Sequence, residues 1–254
     1  MNTIVSQEKK WLLAEKYNGS ETEEYKAECL LLEAGVPVAY LIGNIEFLGC
    51  HIDLSAKPLI PRGETEYWVD LFIKQVKEKY SEVELHNLQI LDLFAGSGCI
   101  GVACAKHLRC QVTIGEIQEQ NLSQILQNTS HNKCITNTEI IKSDVFSHIP
   151  KTQYDFILAN PPYIDHARET DVQSSVLDNE DHVALFAEKE GLQYVYQLID
   201  KGSDYLRTGG EIWIEFDPWQ TDLIDLYLKD NATWTHAYLQ DQYKKDRVLI
   251  LVKK

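Results

Sequence analysis

The sequence of 254 residues lacks the features that would place it in a membrane or outside the cell. It contains no run of about 18 apolar residues, the length at which a helix begins to span a bilayer. Residues 1–17 carry charges throughout and contain no apolar segment of the kind found in secretory signals. We therefore expect a cytoplasmic protein with no membrane segment.

Cysteine and histidine are present, but not in the spacing that metal sites use. None of the six cysteines forms a C-x-x-C pair, and the eight histidines show no ligand spacing. A Gly-x-Ser-x-Gly motif, which carries the nucleophile of many hydrolases, is also missing. The sequence predicts buried, reduced thiols and no metal site.

Positive charge is scarce. The chain has 24 Lys and Arg residues against 39 Asp and Glu residues, a net charge of −15, and no basic run longer than two residues. Proteins that bind nucleic acids obtain most of their affinity from contacts between basic side chains and phosphates. Direct binding of nucleic acid is therefore not expected, and the balance favours a small molecule or a basic protein as substrate.

Apolar residues make up 44% of the chain, enough for a full core, and their pattern divides the sequence into three parts. Residues 1–34 have helical spacing, broken around Asn18-Gly19-Ser20, and form a short N-terminal helical region. Residues 35–60 alternate loosely around Gly43 and Gly49, which predicts a β-hairpin linker. Residues 61–254 are predicted to form the catalytic domain.

Strands and helices alternate through this third part, which predicts an α/β fold with a parallel sheet and right-handed crossovers. Strands are predicted over 89–94, 111–117, 139–142, 154–159, 211–216, 234–239 and 247–252, and helices over 99–108, 118–129, 192–206 and 219–228. Only residues 240–246 separate the last two strands, so they should form an antiparallel hairpin at the sheet edge. The expected architecture is Rossmann-like, with seven mostly parallel strands.

A glycine-rich loop, Gly96-Ser97-Gly98-Cys99-Ile100-Gly101, lies between a predicted strand and a predicted helix. Glycines let the backbone turn tightly and approach a ligand, and the helix N-terminus offers free N–H groups. Glu116, twenty residues after Gly96, ends the next strand and could accept hydrogen bonds from ribose hydroxyls. The loop fits either a nicotinamide or flavin dinucleotide or the nucleoside of S-adenosylmethionine, with Asp92 below it.

A second motif, Asn160-Pro161-Pro162-Tyr163, directly follows the predicted strand 154–159. The Asn160 side-chain oxygen and the Pro161 carbonyl could accept the two hydrogens of a planar NH2 group. Proline fixes φ and has no N–H, so Pro161 and Pro162 would hold these carbonyls rigidly, while the Tyr163 ring packs against the substrate. The motif predicts methyl transfer to nitrogen, which favours S-adenosylmethionine over a dinucleotide.

Two other functions remain compatible with these motifs. An exocyclic amine of a nucleobase in RNA or DNA presents the same planar NH2 group, although the net charge of −15 argues against a nucleic-acid substrate. A binding protein that has kept the fold without catalysis is the second alternative, and the intact Asn160 argues against it.

From about residue 35 onward the chain resembles the HemK-type protein-(glutamine-N5) methyltransferases, which modify peptide chain release factors. The resemblance is carried by Pro61-Arg62-Gly63-Glu64-Thr65-Glu66, Ile90-Leu91-Asp92-Leu93, Gly96-Ser97-Gly98, Ser143-Asp144-Val145-Phe146, Asn160-Pro161-Pro162-Tyr163-Ile164, and Gly209-Gly210 before a strand ending in Glu215. Phe94-Ala95 departs from it, because the family usually has Gly-Thr there.

The resemblance implies a class I S-adenosylmethionine-dependent methyltransferase that releases S-adenosylhomocysteine. The implied substrate is the glutamine amide in the Gly-Gly-Gln loop of a release factor, the protein of translation termination, and we expect the enzyme to be a monomer. The implied cofactor-binding residues are Phe94, Ala95, Gly96, Ser97, Gly98, Glu116, Asp144, Val145 and Asn160. The implied catalytic residues are Asn160, Pro161, Pro162 and Tyr163, which would also bind substrate together with Arg62 and Glu64.

Overall fold

The computed structural model describes residues 3–254 of the chain. Its helices are α1 (Thr3–Glu15), α2 (Glu23–Glu33), α3 (Val38–Ile42), α4 (Gly63–Lys79), α5 (Glu82–Asn87), α6 (Cys99–Leu108), α7 (Glu119–His131), α8 (Ser174–Asn179), α9 (Gln193–Lys201) and α10 (Thr221–Leu228). Its strands are β1 (Asn44–Phe47), β2 (Cys50–Asp53), β3 (Gln89–Leu93), β4 (Gln111–Glu116), β5 (Thr138–Lys142), β6 (Tyr154–Ala159), β7 (Ile164–Asp165), β8 (Phe186–Ala187), β9 (Leu206–Glu215), β10 (Trp234–Gln240) and β11 (Asp246–Lys253).

The first three helices form a small cluster of their own around Leu12, Leu32 and Leu41. The predicted break between the first two helices is confirmed, and Thr22 caps α2 by accepting a hydrogen bond from the Tyr25 N–H at 3.1 Å. The predicted hairpin is also confirmed, as β1 paired antiparallel with β2. Residues 38–42 form α3 rather than part of the hairpin.

Three amide side chains, two on α7 and one at its C-cap residue Asn132, bind the hairpin to the rest of the protein. Asn132 exchanges hydrogen bonds with the backbone of His51, and Asn128 Oδ1 accepts from the Asp53 N–H at 2.8 Å. Gln124 Oε1 accepts from the Ala56 N–H at 2.6 Å. Side chains four residues apart lie on one face of a helix, so this row of amides pairs with the extended backbone that follows β1.

The main sheet has seven strands in the order β10-β11-β9-β6-β3-β4-β5. The pairs among β9, β6, β3, β4 and β5 are all parallel. From β3 the chain continues to β4 on one side, and it later returns to β6 on the other. In such open sheets a ligand crevice forms outside the carboxyl ends of the strands at this switch point.

The edge hairpin is confirmed. Strand β11 pairs antiparallel with both β10 and β9, so it lies between them although it follows both in the chain. The seven-stranded, mostly parallel α/β architecture expected from the sequence is therefore present.

Helix α4, which the sequence analysis did not identify, covers one face of this sheet. Its buried face includes Trp68 and Phe72, whose rings contact Trp213 of β9 and, for Phe72, Phe156 of β6. The apolar positions of α4 recur at helical spacing, which explains its stability. Because Thr65 lies in the first turn of α4, this packing also brings Thr65 to the carboxyl edge of the sheet.

The helix predicted over 192–206, stopped by Gly209 and Gly210, was wrong at its C-terminal end. Helix α9 ends at Lys201, and both glycines lie inside β9. The residue after the helix is Gly202, and a Cβ there would lie 2.3 Å from the Ile212 side chain of β9. Only glycine fits this close contact between the end of α9 and the sheet. Gly209 has φ of +75°, which accommodates the register shift between β6 and β9.

The cysteines are all buried and occur as free thiols. Within residues 3–254, no helix is both long enough and apolar enough to cross a membrane.

Candidate active site

The loop after β3 has a backbone that glycine favours at three positions, only two of which are glycine. Gly96 and Gly98 have φ of +54° and +78°, and Phe94 has φ of +60°. A left-handed backbone at a bulky residue is strained, and such strain is often found at functional sites. The Phe94 ring packs edge-on against Tyr194, with ring centroids 5.1 Å apart, which helps hold this conformation.

The carboxyl groups of Asp92 and Glu116 accept hydrogen bonds from backbone N–H groups at the two ends of the glycine loop. Asp92 Oδ2 accepts a hydrogen bond from the Gly101 N–H at 2.8 Å, below the loop as expected. Glu116 Oε2 accepts from the Gly96 N–H at 2.7 Å, and its Oε1 accepts from the Gln118 N–H at 2.8 Å. Asn121 Nδ2 donates a third, longer hydrogen bond to Glu116 Oε1 at 3.4 Å. A carboxylate can accept about four hydrogen bonds, so Glu116 keeps acceptor capacity for a ligand.

The loops after β3, β4, β5 and β6 enclose a cleft, which we call the β3–β4 cleft. It consists of two adjoining cavities that share Phe94, Ile117, Pro162 and Val183. Asp144, Val145 and Tyr194 line one end, while Gly96, Glu116 and Asn160 line the other. Both ends have mainly apolar walls, and the second end adds the polar side chains of Glu116 and Asn160, an arrangement that could hold a base and a ribose.

Three of the expected loop residues lie beneath the surface of this cleft. Ala95, Ser97 and the backbone of Gly98 are packed against other parts of the protein. The Ser97 carbonyl accepts a hydrogen bond from Asn128 Nδ2 at 2.9 Å. Their part in binding would be to shape the loop, whereas Phe94 and Gly96 face the cleft.

Val145, at the end of the cleft lined by Tyr194, is also strained, with φ of +48° at a β-branched residue. Ser143 stabilises this turn, because its hydroxyl donates to the Val145 carbonyl at 2.9 Å. The strained turn brings Asp144 and Val145 to the cleft together.

Asn160 lies where the β3–β4 cleft meets a larger cavity of about 410 Å³, which we call the Asn160 cavity. The Asn160 cavity is also lined by Pro161, Tyr163, Glu64 and Arg62. Pro162 lines the β3–β4 cleft instead. The motif thus separates the two spaces, with Asn160 open to both.

The hydrogen bonds of Asn160 leave its oxygen free. Asn160 Nδ2 donates to Thr65 Oγ1 at 3.2 Å, and Thr65 Oγ1 donates to Glu215 Oε2 at 2.7 Å. Among residues 3–254, no donor forms a hydrogen bond to Asn160 Oδ1. The oxygen is therefore available as an acceptor.

Tyr163 is held at both its hydroxyl and its backbone. Its hydroxyl donates to Glu215 Oε1 at 3.2 Å, and its carbonyl accepts from Gln220 Nε2 at 3.0 Å. Gly191 packs so closely that a Cβ at this position would lie 2.0 Å from the Tyr163 carbonyl oxygen. These contacts fix the end of the Asn-Pro-Pro-Tyr turn.

Arg62 and Glu64 both line the Asn160 cavity, at the start of α4. Arg62 forms an ion pair of 2.6 Å with Glu180, whose side chain is 1% exposed. Glu180 belongs to residues 164–187, the segment after the motif, which carries Val183 over the β3–β4 cleft. The ion pair therefore joins this covering segment to the base of α4.

Burial dominates the electrostatics of the acidic groups. It raises the pKa of Asp92 to about 8, despite the hydrogen bond from Gly101. Burial also raises the pKa of Glu116 and of Glu215, while hydrogen bonds from Gln118 and Gly96 to Glu116, and from Trp68 and Thr65 to Glu215, act in the opposite direction. Across residues 3–254, no group of three or more His, Cys, Asp or Glu side chains is arranged to hold a metal ion.

Sequence reasoning did not identify Thr65, Glu180 or Tyr194 as site residues, and it noted Glu215 only within a matched segment. Thr65 lies inside the Pro61–Glu66 segment, which was the available signal. Tyr194 and Glu180 belong to stretches that carry no motif, so nothing in the sequence marked them.

Comparison with known proteins agrees with this geometry. The family model for the methyltransferase small domain matches residues 68–183. Among solved structures, the ribosomal protein L11 methylase of Lactobacillus delbrueckii subsp. bulgaricus has a TM-score of 0.53 at 17% identity, covering 80% of this chain and 83% of its own. The N-terminal domain of human METTL16 in complex with SAH has a TM-score of 0.55 at 17% identity, covering 80% of this chain and 76% of its own.

Two relatives are more similar in sequence, and both are named release factor glutamine methyltransferase. The protein of Streptococcus pneumoniae is 34% identical over 224 residues, covering 87% of this chain and 76% of the relative. The protein of Francisella tularensis subsp. tularensis is 36% identical over 196 residues, covering 77% of this chain and 66% of the relative.

A mostly parallel seven-stranded sheet that closes with an antiparallel edge hairpin, with a cleft at its switch point, has the fold of the class I methyltransferases, and the match to the methyltransferase small domain agrees with it. Within that class, the extent of the similarity to its relatives shows that the chain belongs to the release factor glutamine methyltransferase family. The family predicted from the sequence motifs is confirmed.

Proposed function

We propose that this enzyme methylates the side-chain amide nitrogen of the glutamine in the Gly-Gly-Gln loop of a peptide chain release factor, with S-adenosylmethionine as methyl donor. The single observation that carries the proposal is Asn160, an amide with an unoccupied acceptor oxygen that faces both the β3–β4 cleft and the Asn160 cavity. Family membership supports the same substrate.

The β3–β4 cleft suits the nucleoside of the donor. Glu116 would accept hydrogen bonds from ribose hydroxyls, and Ile117, Val145 and Tyr194 would pack against the base, with Asp144 at its edge. The loop from Phe94 to Gly98 would approach the rest of the molecule. When bound, S-adenosylmethionine supplies a methyl group activated by a sulfonium, and S-adenosylhomocysteine remains after transfer.

The Asn160 cavity suits the glutamine side chain. An amide nitrogen is a weak nucleophile because its lone pair is delocalised into the carbonyl. Asn160 Oδ1 and the Pro161 carbonyl would accept its two N–H groups, hold it in line and stabilise the positive charge that develops as the methyl group arrives. One of the two N–H protons is then released to solvent, which leaves the neutral N-methyl amide. Positioning and electrostatic stabilisation of this kind accelerate a reaction without a strong base.

The Tyr163 ring would pack against the planar amide, with Arg62 and Glu64 at the cavity edge.

We assign the chemistry to residues 61–254, and we propose that residues 1–34 and the hairpin linker of residues 35–60 contribute to contacts with the protein substrate. Since release factors act on cytoplasmic ribosomes, the same proposal places the enzyme in the cytoplasm, where we expect it to act as a monomer.

Co-expression with a release factor, followed by mass spectrometry of the tryptic peptides, tests the proposal. We expect one added methyl group on the glutamine of the Gly-Gly-Gln peptide, and no label in bulk RNA incubated with the enzyme and labelled donor. Label in RNA alone would contradict the proposal and favour the nucleobase alternative.

The Asn160→Ala variant is the matched negative control. It should lose turnover while its affinity for S-adenosylhomocysteine, measured by calorimetry, stays within a few-fold of the parent value. Full activity in this variant would remove Asn160 from the mechanism.

A further inference from the structure

The orientation of the Asn160 amide decides whether the enzyme can bind its substrate productively. An asparagine side chain has nearly the same shape when its oxygen and nitrogen are exchanged, so packing alone does not choose between the two orientations. With Oδ1 toward the substrate the amide accepts an N–H group. With Nδ2 there, two NH2 groups would face each other.

A chain of hydrogen bonds makes this choice. Glu215 Oε2 accepts from Thr65 Oγ1 at 2.7 Å and from Trp68 Nε1 at 2.8 Å. The Thr65 hydroxyl has a single proton, and that proton is donated to Glu215. Towards Asn160, Thr65 Oγ1 can therefore act only as an acceptor.

The partner that Thr65 can accept from is Asn160 Nδ2, at 3.2 Å. In the exchanged orientation, Asn160 Oδ1 would face the lone pairs of Thr65 Oγ1 with no proton between them. Thr65 and Glu215 are both buried, with exposed fractions of 2% and 1%, so water does not compete for these contacts.

Tyr163 reinforces the arrangement, because its hydroxyl donates to the second oxygen of Glu215. Glu215 thus accepts from three donors that come from α4 and from the Asn-Pro-Pro-Tyr turn. An ionised carboxylate is the group that can accept from all of them at once.

We infer that Thr65 and Glu215 are positioning residues that orient the Asn160 amide, so that its oxygen faces the nitrogen to be methylated. The inference rests on the proposed function, in that the substrate nitrogen must carry N–H groups. It extends that function by assigning a catalytic consequence to two residues that do not touch the substrate nitrogen.

The variants Thr65→Val and Thr65→Ser test the inference. Valine keeps the shape of threonine but removes the hydroxyl, so kcat should fall about tenfold or more, the effect of one lost hydrogen bond of this strength. KM for the release factor and the affinity for S-adenosylhomocysteine should change less than threefold. Serine keeps the hydroxyl and should restore most of kcat.

The matched control is Thr113→Val, the same change at another buried threonine, whose hydroxyl accepts from Tyr154 and which lies outside the site. Thermal unfolding of each variant measures the structural cost of losing a buried hydroxyl. If Thr65→Val and Thr113→Val reduce kcat equally, or Thr65→Val leaves kcat unchanged, the inference is overturned.

A double-mutant cycle separates positioning from direct catalysis. If Thr65 acts only through Asn160, then Thr65→Val should add no further loss of kcat in the Asn160→Ala background. Full additivity of the two losses would contradict the inference. Residual turnover in Asn160→Ala must be measurable, so single-turnover labelling is the assay.

A spectroscopic measurement makes the test independent of activity. In protein labelled with ¹⁵N-asparagine, the side-chain resonances of Asn160 are those that disappear in Asn160→Ala. They should shift in Thr65→Val and return toward the parent position in Thr65→Ser. No shift in Thr65→Val would overturn the inference. If the parent enzyme does not methylate the release factor, the proposed function is refuted, but the resonance shifts still report the orientation of the Asn160 amide.

Glu215→Leu tests the other end of the chain. Without the carboxylate, the Thr65 proton becomes free to turn toward Asn160, so kcat should fall about as far as in Thr65→Val, by a factor on the order of ten. A parent-like kcat would exclude Glu215 from positioning. Because this change leaves three buried donors unpaired, the Thr65 series decides the inference should Glu215→Leu not fold.

Discussion

Asn128 of α7 donates a hydrogen bond from its Nδ2 to the carbonyl of Ser97, at 2.9 Å. The same amide accepts from the Asp53 N–H of the hairpin through its Oδ1, at 2.8 Å. One buried side chain therefore connects the hairpin linker to the glycine loop. A displacement of either segment should alter the position of the other.

The Asn128→Ala variant should be less stable and should bind the methyl donor more weakly. It leaves one partly buried donor and one buried acceptor without partners, which costs about 2–6 kcal/mol at about 1–3 kcal/mol each. Urea unfolding and calorimetry with S-adenosylhomocysteine measure the two effects. Gln127→Ala, an exposed neighbour on the same helix, should change stability by less than about 0.5 kcal/mol.

The Glu116→Ala variant should bind the methyl donor more weakly by about 1.5–3 kcal/mol, the value of a hydrogen bond to a charged group. Part of the loss would come from ribose hydroxyls and part from the Gly96 N–H, which Glu116 also holds. Calorimetry with S-adenosylhomocysteine measures it. Glu139→Ala removes the same charge from an exposed position on β5 and should leave the affinity unchanged.

The raised pKa of Asp92 predicts that the free energy of unfolding depends on pH. Burial raises its pKa to about 8, above the ordinary value of 3.8 that applies in the unfolded chain. Between these values the unfolded chain releases the proton and the folded protein keeps it, so the contribution of Asp92 to stability is full below about pH 4 and falls as pH rises toward 8.

The Asp92→Asn variant should lack this dependence, because asparagine does not titrate and can still accept from the Gly101 N–H. The stability of the variant relative to the parent should rise with pH across this window, by at most about 1.4 kcal/mol per pH unit. Urea unfolding at pH 5 and at pH 7.5 measures it. A difference that is the same at both pH values would mean that Asp92 titrates normally.

Gly191 and Gly209 form a matched pair for testing the Asn-Pro-Pro-Tyr turn. Both have positive φ, +80° and +75°, so alanine at either position costs about 1 kcal/mol in backbone strain. A Cβ at Gly209 meets nothing within 4 Å, whereas one at Gly191 would overlap the Tyr163 carbonyl. Gly209→Ala should keep its activity, and Gly191→Ala should lose most of kcat as the turn is displaced. Equal activities would show that the turn tolerates movement.

The elements that could be predicted from the sequence are those encoded by local patterns. Helix α6 and strand β6 were predicted at their observed bounds, because each follows a clear apolar pattern, α6 begins directly after Gly98, and β6 ends directly before Asn160-Pro161. The positions of Glu116 and Asn160 at the ends of parallel strands follow from the same patterns. Strand ends meet at one edge, so the crevice could be located as well.

The contacts that orient the site could not be predicted, because they join distant parts of the chain. Thr65 and Glu215 are 150 residues apart, and Arg62 and Glu180 are 118 residues apart. Residues 164–187 have no helical or strand periodicity, which is why their covering position was not foreseen. Phe94 gave no sign of its left-handed backbone, since glycine is the residue that usually marks that conformation.

The position of β11 affects the order in which the enzyme can fold. Because β11 lies between β9 and β10, strand β9 keeps an unpaired edge until residues 246–253 have been synthesised and have inserted. Strand β9 ends in Glu215, so the carboxylate that orients Asn160 lies on a strand whose second edge is paired only when β11 is in place. Pairings this distant along the chain form slowly. A nascent chain that lacks β11 therefore exposes an unpaired edge of β9, the strand that carries Glu215, until residues 246–253 pair with it.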